Sequence, residues 1–558
     1  MKNQVRSDKR TKKAIDDDRL TLGNIVVLVF LAVMFGLFPL AVNVTAISDF
    51  PFFSLADGFV AIRHIKYYFF ITVIALALFA ELALLVTGTF SYGGAQKKVK
   101  LKKPFLKTLS FTDFAAAAFL LSCAISTLLS EYKELAFFGE TTLGSSSTGR
   151  NNGLLLIMAL VTMYFLLTRC FRCRETVLLV LAVSSSLVYL LTVLNGFYID
   201  PLGMLEPFRY STQKVFTEFF STIGNKNMLS SFICVTLPVS VCMAAQTEKA
   251  WRRAIYVVSS ALGSMALIVG DSDSGMLGMA VFIIVFLAVY IRRPKMLKGY
   301  LLALCAMSAG ILLLRGFSAL MGDNIKELGQ FSHALLYSNA VFFILPCLAA
   351  VTAAVYIVNR NGRELDVPKA VPVAILALLG ASVLALLGAV LYFTLIDTKT
   401  DLGSMEKLLR LNDAWGTHRG VMWLRSFRIF GDAPFYRKLF GTGPDTFYFA
   451  FMPYFGELEQ FGNSSTDAAH NEYLNYLITI GISGLGAYLA LLGGALSRAV
   501  KARRERPMAM VFAAPVIAYA VQAVVNIAVP ISLPLLFIFI SLSEAEAKEY
   551  DKIREIDP

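Results

Sequence analysis

The chain has 558 residues, of which 57% are hydrophobic and 16% are charged, and its mean hydropathy is +0.65. Soluble globular domains carry about a quarter charged residues, so this composition excludes a soluble domain and indicates a polytopic membrane protein. The formal net charge of +12 is expected to orient the chain and to contact anionic membrane lipids. It gives no reason to expect a nucleic-acid partner.

Apolar runs of roughly 20 residues are what a helix needs to cross a bilayer core of about 30 Å. The first run, from Leu22 to about Ala46, is too long for a cleaved signal peptide, so we predict a retained first span. The same test predicts an all-α integral membrane protein with about 14 transmembrane helices. The predicted spans are 22–46, 67–91, 113–130, 153–168, 176–197, 227–245, 254–270, 275–291, 299–314, 336–358, 370–394, 474–496, 508–527 and 530–542.

Basic residues provide an independent prediction of topology, because positively charged loops tend to remain in the cytoplasm. They fall in alternate loops, at Lys97–Lys107, Arg169–Arg174, Lys249–Arg253, Arg292–Lys298, Arg360–Lys369 and Arg498–Arg506. We therefore predict a multi-pass protein of the cell membrane with both termini in the cytoplasm. The predicted parts are a basic tail (1–21), helices 1–11 (22–395), a large extracytoplasmic loop before the twelfth helix (396–473), helices 12–14 (474–542) and a cytoplasmic tail (543–558).

The sequence indicates neither a metal site nor a cofactor site. Cys170 and Cys173 form a close pair, but no second pair or histidine lies near them, and zinc needs more ligands than two. No phosphate-binding glycine motif and no dinucleotide fingerprint is present. We therefore expect no metal and no cofactor.

The loop 396–473 is where we expect chemistry, because it is the longest polar segment and ends at a histidine. All four histidines, His64, His333, His418 and His470, fall in predicted external segments. His470 follows small or polar residues and opens a hydrophobic helix, which places it where water meets lipid. An imidazole of near-neutral pKa can accept the proton of an attacking hydroxyl. From these residues alone, a surface or helix-capping histidine remains the alternative.

Several motifs resemble the O-antigen ligase and O-antigen polymerase family of membrane glycosyltransferases. The most specific is His470-Asn471-Glu472-Tyr473-Leu474 with the glycine-rich continuation Ile480–Gly486, which is similar to the family's signature helix. Shorter resemblances lie at Gly149-Arg150-Asn-Asn-Gly153, Thr222-Ile-Gly-Asn225-Lys-Asn227, Arg419-Gly-Val-Met-Trp423 and Phe440–Phe447. Together these motifs touch most of the chain from about residue 140 to residue 490.

The resemblance implies transfer of a glycan from an undecaprenyl-diphosphate carrier on the outer face of the membrane, without a nucleotide sugar or a catalytic metal. It implies His470 as the general base and Arg419 as a catalytic cation, since a guanidinium suits the charge that a departing diphosphate accumulates. The substrate-binding residues that it implies are Arg150, Arg209, Lys214, Trp423, Asn225, Asn227, Asn471 and Asp273. The expected partners are a lipid-linked glycan donor and a glycan, lipid or protein acceptor.

The chain departs from the family pattern in two places. Where the family carries a Ser-Arg element at the outer end of a mid-chain span, the sequence reads Gly270-Asp-Ser-Asp273-Ser-Gly275. Asp271 and Asp273 can orient Arg419 or bind an ion instead. A second family arginine precedes the Asn225-Lys-Asn227 element, and the candidates for it are Arg209 and Lys214.

Two other functional classes remain open at the sequence level. A flippase for lipid-linked oligosaccharides would handle the same lipid diphosphates without breaking a bond, but we find no internal repeat of the kind many transporters have. A membrane scaffold would leave His470 and Arg419 unexplained. Ligation of finished chains and polymerisation of repeat units share the same motifs, so the sequence does not separate them.

Overall fold

The computed structural model describes residues 22–42, 57–87, 109–139, 142–143, 146–147, 150–171, 174–203, 219–322, 324–360, 367–462 and 464–556. Most of these residues are helical. The strands among them form two antiparallel pairs, and each strand has two residues. The pairs join β1 (Thr142–Leu143) to β2 (Ser146–Ser147) and β3 (Phe219–Phe220) to β4 (Gly224–Asn225). The prediction of an all-α protein is confirmed.

The helices fall into a long membrane-type set and a set of short connecting helices. In the first part of the chain they are α1 (Leu22–Gly36), α2 (Asp57–Val86), α3 (Phe111–Leu129), α4 (Lys133–Phe138), α5 (Leu154–Cys170), α6 (Glu175–Gly196), α7 (Lys226–Gln246), α8 (Ala250–Gly270), α9 (Asp273–Tyr290) and α10 (Pro294–Leu320). The later helices are α11 (Gln330–Tyr337), α12 (Ala340–Arg360), α13 (Ala370–Leu395), α14 (Glu406–Leu409), α15 (Trp415–Asp432), α16 (Phe435–Phe440), α17 (Phe447–Phe451), α18 (Phe455–Glu459), α19 (Glu472–Thr479), α20 (Gly481–Ala502), α21 (Met508–Gln522) and α22 (Leu533–Ile556).

In the described part of the chain, 12 helices are long and apolar enough to cross a membrane, and α5 is a shorter apolar helix. Each predicted span corresponds to a helix, the last one to the first half of α22. Several helix ends are shifted from the predicted positions, and two differences change how the chain is divided. The predicted span 474–496 is divided at Ile480 into α19 and α20, and the predicted tail 543–558 is helical as far as Ile556.

Helix α7 forms the centre of the bundle, and its apolar residues are completely buried inside the protein. It packs against α6, α8, α9, α10 and α21. Small and apolar residues cover all its faces, and a helix of that kind is stable only when it is surrounded. Its buried hydroxyls are paired, because Thr236 bonds to the Phe232 carbonyl at 2.7 Å and to the Tyr189 hydroxyl at 2.6 Å.

The two ends of the bundle differ in chemistry. Where α7 ends, the Gln246 amide donates to the Pro507 carbonyl at 3.3 Å, just before α21 begins. We call this the basic end of the bundle, because it carries the Arg and Lys residues of the loops between these helices. We call the other end, where α7 begins, the His470 end.

Ion pairs at the basic end hold the last helix, α22, against the bundle. They are Lys548–Asp113 at 2.7 Å, Arg498–Glu544 at 2.7 Å and Arg506–Glu546 at 2.6 Å, and all three carboxylates are buried. Removing one partner of such a pair would leave an uncompensated buried charge. This explains why the charged second half of α22 continues as a packed helix.

The predicted loop 396–473 folds as a layer of short helices, α14 to α18, at the His470 end. It has a small apolar core of its own, which is shared with α19 and contains Val421, Met422, Phe447, Phe451, Leu458, Ala469, Leu474 and Ile478. Helix α13 leads into this layer, and its side chains are almost entirely uncovered by protein. An apolar helix without protein around it is expected to face lipid.

Candidate active site

His470 immediately precedes α19, and hydrogen bonds hold the backbone on both sides of it. The Asn471 side-chain oxygen caps α19 by accepting the Leu474 N–H at 3.0 Å. On the other side, Trp423 Nε1 donates to the Ala469 carbonyl at 3.0 Å. His470 itself has a φ of 49°, in the left-handed region that few residues other than glycine adopt. The position of the imidazole is therefore set by its surroundings rather than by local preference.

Strained backbone conformations are concentrated at the His470 end. The described non-glycine residues with positive φ are Asn151, Tyr198, Ser221, Asp271, His418, Asp445 and His470. Each such residue costs on the order of 1–3 kcal/mol and persists only where tertiary contacts over-determine it. Their concentration around His470 marks this end as a candidate functional site.

Close backbone contacts fasten the short-helix layer to the junction of α19 and α20. Gly441 has a φ of 75°, and a Cβ there would overlap the Thr479 carbonyl. Gly481 has a φ of 68°, and a Cβ there would overlap the Leu439 carbonyl oxygen. The Gly443 N–H donates to the Thr479 carbonyl at 2.8 Å. Because only glycine combines this φ with such an approach, these positions explain the break at Ile480.

Arg150 and Asp467 form an ion pair beside His470, in which the arginine is the buried partner. Arg150 Nε lies 3.4 Å from Asp467 Oδ2, its side chain is only 3% exposed, and Nη1 donates to the Asp467 carbonyl. Burial alone would raise the pKa of Asp467, but Arg150, Arg63 and His470 together hold it below its usual value. Asp467 is therefore ionised at neutral pH and anchors Arg150 next to the imidazole.

A second carboxylate, Asp445, lies on the other side of Arg150. Its Oδ2 accepts the Asn152 N–H at 3.1 Å. Burial raises the pKa of Asp445 to about 7, and the nearby Arg150 only partly opposes this effect. The residue therefore titrates near neutral pH. Asp445 also lines a small enclosed cavity together with Arg150, Asn152, Pro444, Asn475 and Tyr476.

The imidazole of His470 is neutral over the physiological pH range. Burial is the largest cause of its low pKa of about 4, and the positive charges of Arg419 and Arg150 lower it further, while Asp467 acts in the opposite direction. Its Nδ1 is buried and has no hydrogen-bond partner. A neutral ring with an unused nitrogen is the form that can accept a proton.

Arg419 lies on α15 within electrostatic range of both His470 and Asp273. Burial lowers the pKa of Arg419, and Asp273 partly restores it. No described side chain forms an ion pair or a hydrogen bond with Arg419, whereas Arg425 on the same helix binds Asp413 at 3.0 Å. Arg419 is therefore a charged group held at the site with its donors available to a ligand.

These residues form a cluster of three arginines, a neutral histidine and carboxylates, at the end of a bundle of membrane-type helices. A family model described as O-antigen ligase matches residues 328–489, a range that contains both Arg419 and His470. Residues 328–489 are thus similar to an O-antigen ligase domain. The match supports assignment to the O-antigen ligase and polymerase family, as the sequence resemblance predicted. No curated protein matches the chain.

The match to the O-antigen ligase model supports a membrane enzyme of the ligase or polymerase class that acts in polysaccharide biosynthesis. The family implies in general terms a lipid-linked glycan donor and a glycan acceptor. The twelve apolar helices and the family together support a multi-pass membrane protein. No group of three His, Cys, Asp or Glu side chains in the described ranges is arranged to hold a metal ion.

Four of the predicted site residues are brought together. Arg419 lies within electrostatic range of Asp273 and of His470, and His470 lies within range of Arg150. Arg209 and Lys214 lie outside the described residues. The predicted role of each residue in binding or catalysis stays a prediction.

The other predicted residues form hydrogen bonds that position the helix ends around the cluster. Asn225 caps α7 by accepting the Asn227 N–H at 2.9 Å. The Asn227 side-chain oxygen accepts from Ser272 Oγ at 3.3 Å, and its carbonyl accepts from Asn526 at 2.9 Å. These bonds join the starts of α7 and α9 to the segment after α21. Asp273 is the first residue of α9, so this network also positions Asp273.

Sequence reasoning did not single out Arg63, Asp445 or Asp467 as members of the site. Asp467 lies in the polar stretch before His470. Asp445 directly follows the glycine- and proline-containing turn Gly441–Pro444, which marks its position in the sequence. Arg63 had no motif around it. A further missed residue is Glu472, whose carboxylate accepts from the Tyr488 hydroxyl at 2.6 Å and from the Tyr519 hydroxyl at 2.7 Å. Its burial raises its pKa to about 7.

The remaining histidines have neighbours of their own. His64 Nδ1 lies 3.1 Å from the Asn151 amide nitrogen. His418 stacks on Phe461 with 4.5 Å between ring centroids, and His333 packs on Tyr337 with 4.8 Å between centroids. His470 lies within electrostatic range of Arg419, Asp467 and Arg150.

Proposed function

We propose that the protein transfers a glycan from an undecaprenyl-diphosphate carrier to an acceptor hydroxyl, with Arg419 and Arg150 binding the diphosphate and His470 as general base. The observation that carries this proposal is the neutral imidazole of His470, with an unpartnered Nδ1, within electrostatic range of both arginines. The family match supports the class of enzyme, and the geometry supports the assignment of roles.

In the proposed reaction the acceptor oxygen attacks the anomeric carbon of the donor. The bond between that carbon and the diphosphate oxygen breaks, and the lipid diphosphate leaves with the electron pair. His470 takes the proton of the acceptor hydroxyl. Arg419 and Arg150 stabilise the charge that develops on the leaving diphosphate, since guanidinium groups bind phosphate oxygens in a forked geometry. The reaction uses no nucleotide sugar, metal or other cofactor.

The low pKa of the free imidazole fits this role once the donor is bound. Arg419 and Arg150 lower the pKa of His470 in the empty site. A bound diphosphate brings negative charge next to both arginines and offsets their repulsion of an imidazolium. The pKa of His470 therefore rises when the donor binds. The base is strongest in the complex in which it is needed.

We further infer that the His470 end faces the outside of the cell and that both termini lie in the cytoplasm. The basic loops at the opposite end support this orientation. Single cysteines at the exposed positions Ser464 and Glu248 test it in intact cells, against a background without reactive native cysteines. A membrane-impermeant maleimide should label Ser464→Cys and spare Glu248→Cys, and the reverse pattern would refute the orientation.

The decisive test is a transfer assay with the purified full chain and an undecaprenyl-diphosphate-linked glycan. His470→Gln and Arg419→Gln should each reduce the transfer rate by at least about 100-fold, the range in which loss of a general base or a charge-stabilising donor falls. His333→Gln and Arg428→Gln are matched controls, because His333 packs on Tyr337 and the Arg428 side chain is 68% exposed. Full transfer by both site variants would refute the assignment.

An assay of the same protein reconstituted in liposomes distinguishes a glycan transferase from a flippase. Movement of a fluorescent lipid-linked glycan between leaflets without any transfer product would favour the flippase. The product also separates the two enzyme activities that the motifs leave open. Lengthening of the donor glycan by further repeat units indicates a polymerase, whereas joining to a different acceptor indicates a ligase.

A further inference from the structure

Arg63 belongs to the same cluster as His470, although more than 400 residues separate the two in the sequence. It lies near the beginning of α2. The next residue, His64, contacts Asn151, with 3.1 Å between His64 Nδ1 and the side-chain amide nitrogen of Asn151. Because Asn151 directly follows Arg150, this contact fastens the start of α2 to the loop that carries Arg150. The fold thus brings two guanidinium groups from distant segments to the same place.

The charges around Arg63 do not balance in the empty site. Arg63 lies within electrostatic range of Arg150, Asp467 and Asp445. Asp467 is ionised, but Asp445 has a pKa of about 7 and so carries only part of its charge at neutral pH. Two permanent positive charges therefore face between one and two negative charges. Arg419 also acts on His470, but it has Asp273 as its own counter-charge.

Arg63 also has donors that the protein does not use. In the part of the chain that the structure describes, the Arg63 side chain forms no hydrogen bond and no ion pair, and its Nε is buried without a partner. Arg150, by contrast, is held by both the carboxylate and the carbonyl of Asp467. A buried guanidinium donor without an acceptor is unfavourable unless a ligand supplies that acceptor. An anion with several oxygens is the ligand that a guanidinium group binds most strongly.

We propose that Arg63 is a third diphosphate-binding arginine of this site, acting with Arg150 and Arg419. This inference rests on the proposed function and adds a residue to it. Arg63 and Arg150, placed side by side by the His64–Asn151 contact, bind the diphosphate from one side, and Arg419 binds it from the side of His470. The ordered contacts of Arg150 set the position, and Arg63 contributes the unused forked donor.

The test measures binding of undecaprenyl diphosphate to the purified full chain in detergent. Arg63→Gln should weaken binding by about 10- to 100-fold, which is the usual effect of losing a hydrogen bond to a charged group. Arg428→Gln, an exposed arginine on α15, should bind like wild type. Inorganic pyrophosphate should show the same order of affinities, whereas binding of phosphatidylglycerol vesicles should be equal for all three proteins.

Each other outcome overturns a particular claim. Tight binding of undecaprenyl diphosphate by wild type with no weakening in Arg63→Gln would refute the role of Arg63. Equal losses for undecaprenyl diphosphate and phosphatidylglycerol would refute a diphosphate site and indicate a general lipid contact. Absence of binding by wild type would instead refute the proposed function. These results are distinguishable because wild type and variant are measured side by side.

A second experiment uses only the wild-type protein, so its result does not depend on whether a variant folds. Arginine-selective modification by phenylglyoxal is followed by mass spectrometry with and without undecaprenyl diphosphate. The ligand should slow modification of Arg63 at least about tenfold and leave Arg428 unchanged, in line with occupancy of a site at about ten times its Kd. Unchanged modification of Arg63 at saturating ligand would refute the proposal.

Discussion

Replacing Arg419 by glutamine should raise the pKa of the His470 imidazole. In wild type that pKa is about 4, lowered first by burial and then by Arg419 and Arg150. Against the ordinary value of about 6.5, this corresponds to about 3 kcal/mol in favour of the neutral ring. The variant loses one repulsive charge but keeps the burial, so we expect a pKa between about 4 and 6.5.

Histidine-selective isotope labelling and NMR can measure this pKa directly, because the chain has only four histidines. A His470→Gln sample identifies the signal of His470 by its loss. Arg428→Gln is the matched control and should leave the titration unchanged, since its side chain is 68% exposed on the same helix. Titration of wild-type His470 near 6.5, or no rise in Arg419→Gln, would refute the electrostatic account of the site.

The same shift has a consequence for stability. Above pH 6.5 the imidazole is neutral in both the folded and the unfolded chain, so the stabilisation is complete. As the pH falls from about 6.5 towards 4, the unfolded chain takes up a proton that the folded chain does not, and up to about 3 kcal/mol is lost. Wild-type Tm should therefore fall more steeply over this range than the Tm of His470→Gln, measured by thermal unfolding in detergent.

Three further predictions concern groups around the imidazole. Gly441→Ala should lower the free energy of unfolding by on the order of 1–3 kcal/mol, because of its positive φ and the overlap with a carbonyl; an unchanged Tm would contradict this. Trp423→Phe keeps an aromatic ring but loses the bond to Ala469, so it should cost about 1 kcal/mol and slow transfer, and an unaltered rate would count against a positioning role. Asp445→Asn removes a carboxyl of pKa about 7 but keeps an acceptor for the Asn152 N–H, so the rate should vary less between pH 6 and 8, whereas an identical pH profile would exclude Asp445 as the titrating group.

The spans of this fold are predictable from the sequence because hydropathy over about 20 residues is a local property. The break within the twelfth predicted span and the helical C-terminal segment depend on contacts between distant segments. The break at Ile480 arises where Gly441 docks against the Thr479 carbonyl. The second half of α22 is too charged to be recognised as a packed helix, and ion pairs such as Arg498–Glu544 are what bury it.

The site was predictable only where a motif marks it. His470 and Arg419 lie within recognisable stretches, and the structure brings them near each other. Asp445 lies inside the Phe440–Phe447 motif, but its relation to Arg63, which no motif marks, appears only after α2, the Arg150 loop and the short-helix layer have packed. Trp423 shows a different limit, since the sequence predicts a ring for substrate but does not reveal that its N–H holds the Ala469 carbonyl.

The charge balance of the site links substrate binding to the base. Arg419 and Arg150 disfavour protonation of His470, and an anion bound to them must remove part of that effect. Linkage is reciprocal, so whatever amount the diphosphate adds to the proton affinity of His470, protonation adds equally to the affinity for the diphosphate. In the reaction that we propose, the protonated imidazole therefore helps to retain the departing lipid diphosphate after transfer. Loss of the proton to water then weakens that hold, which ties release of the carrier to regeneration of the base.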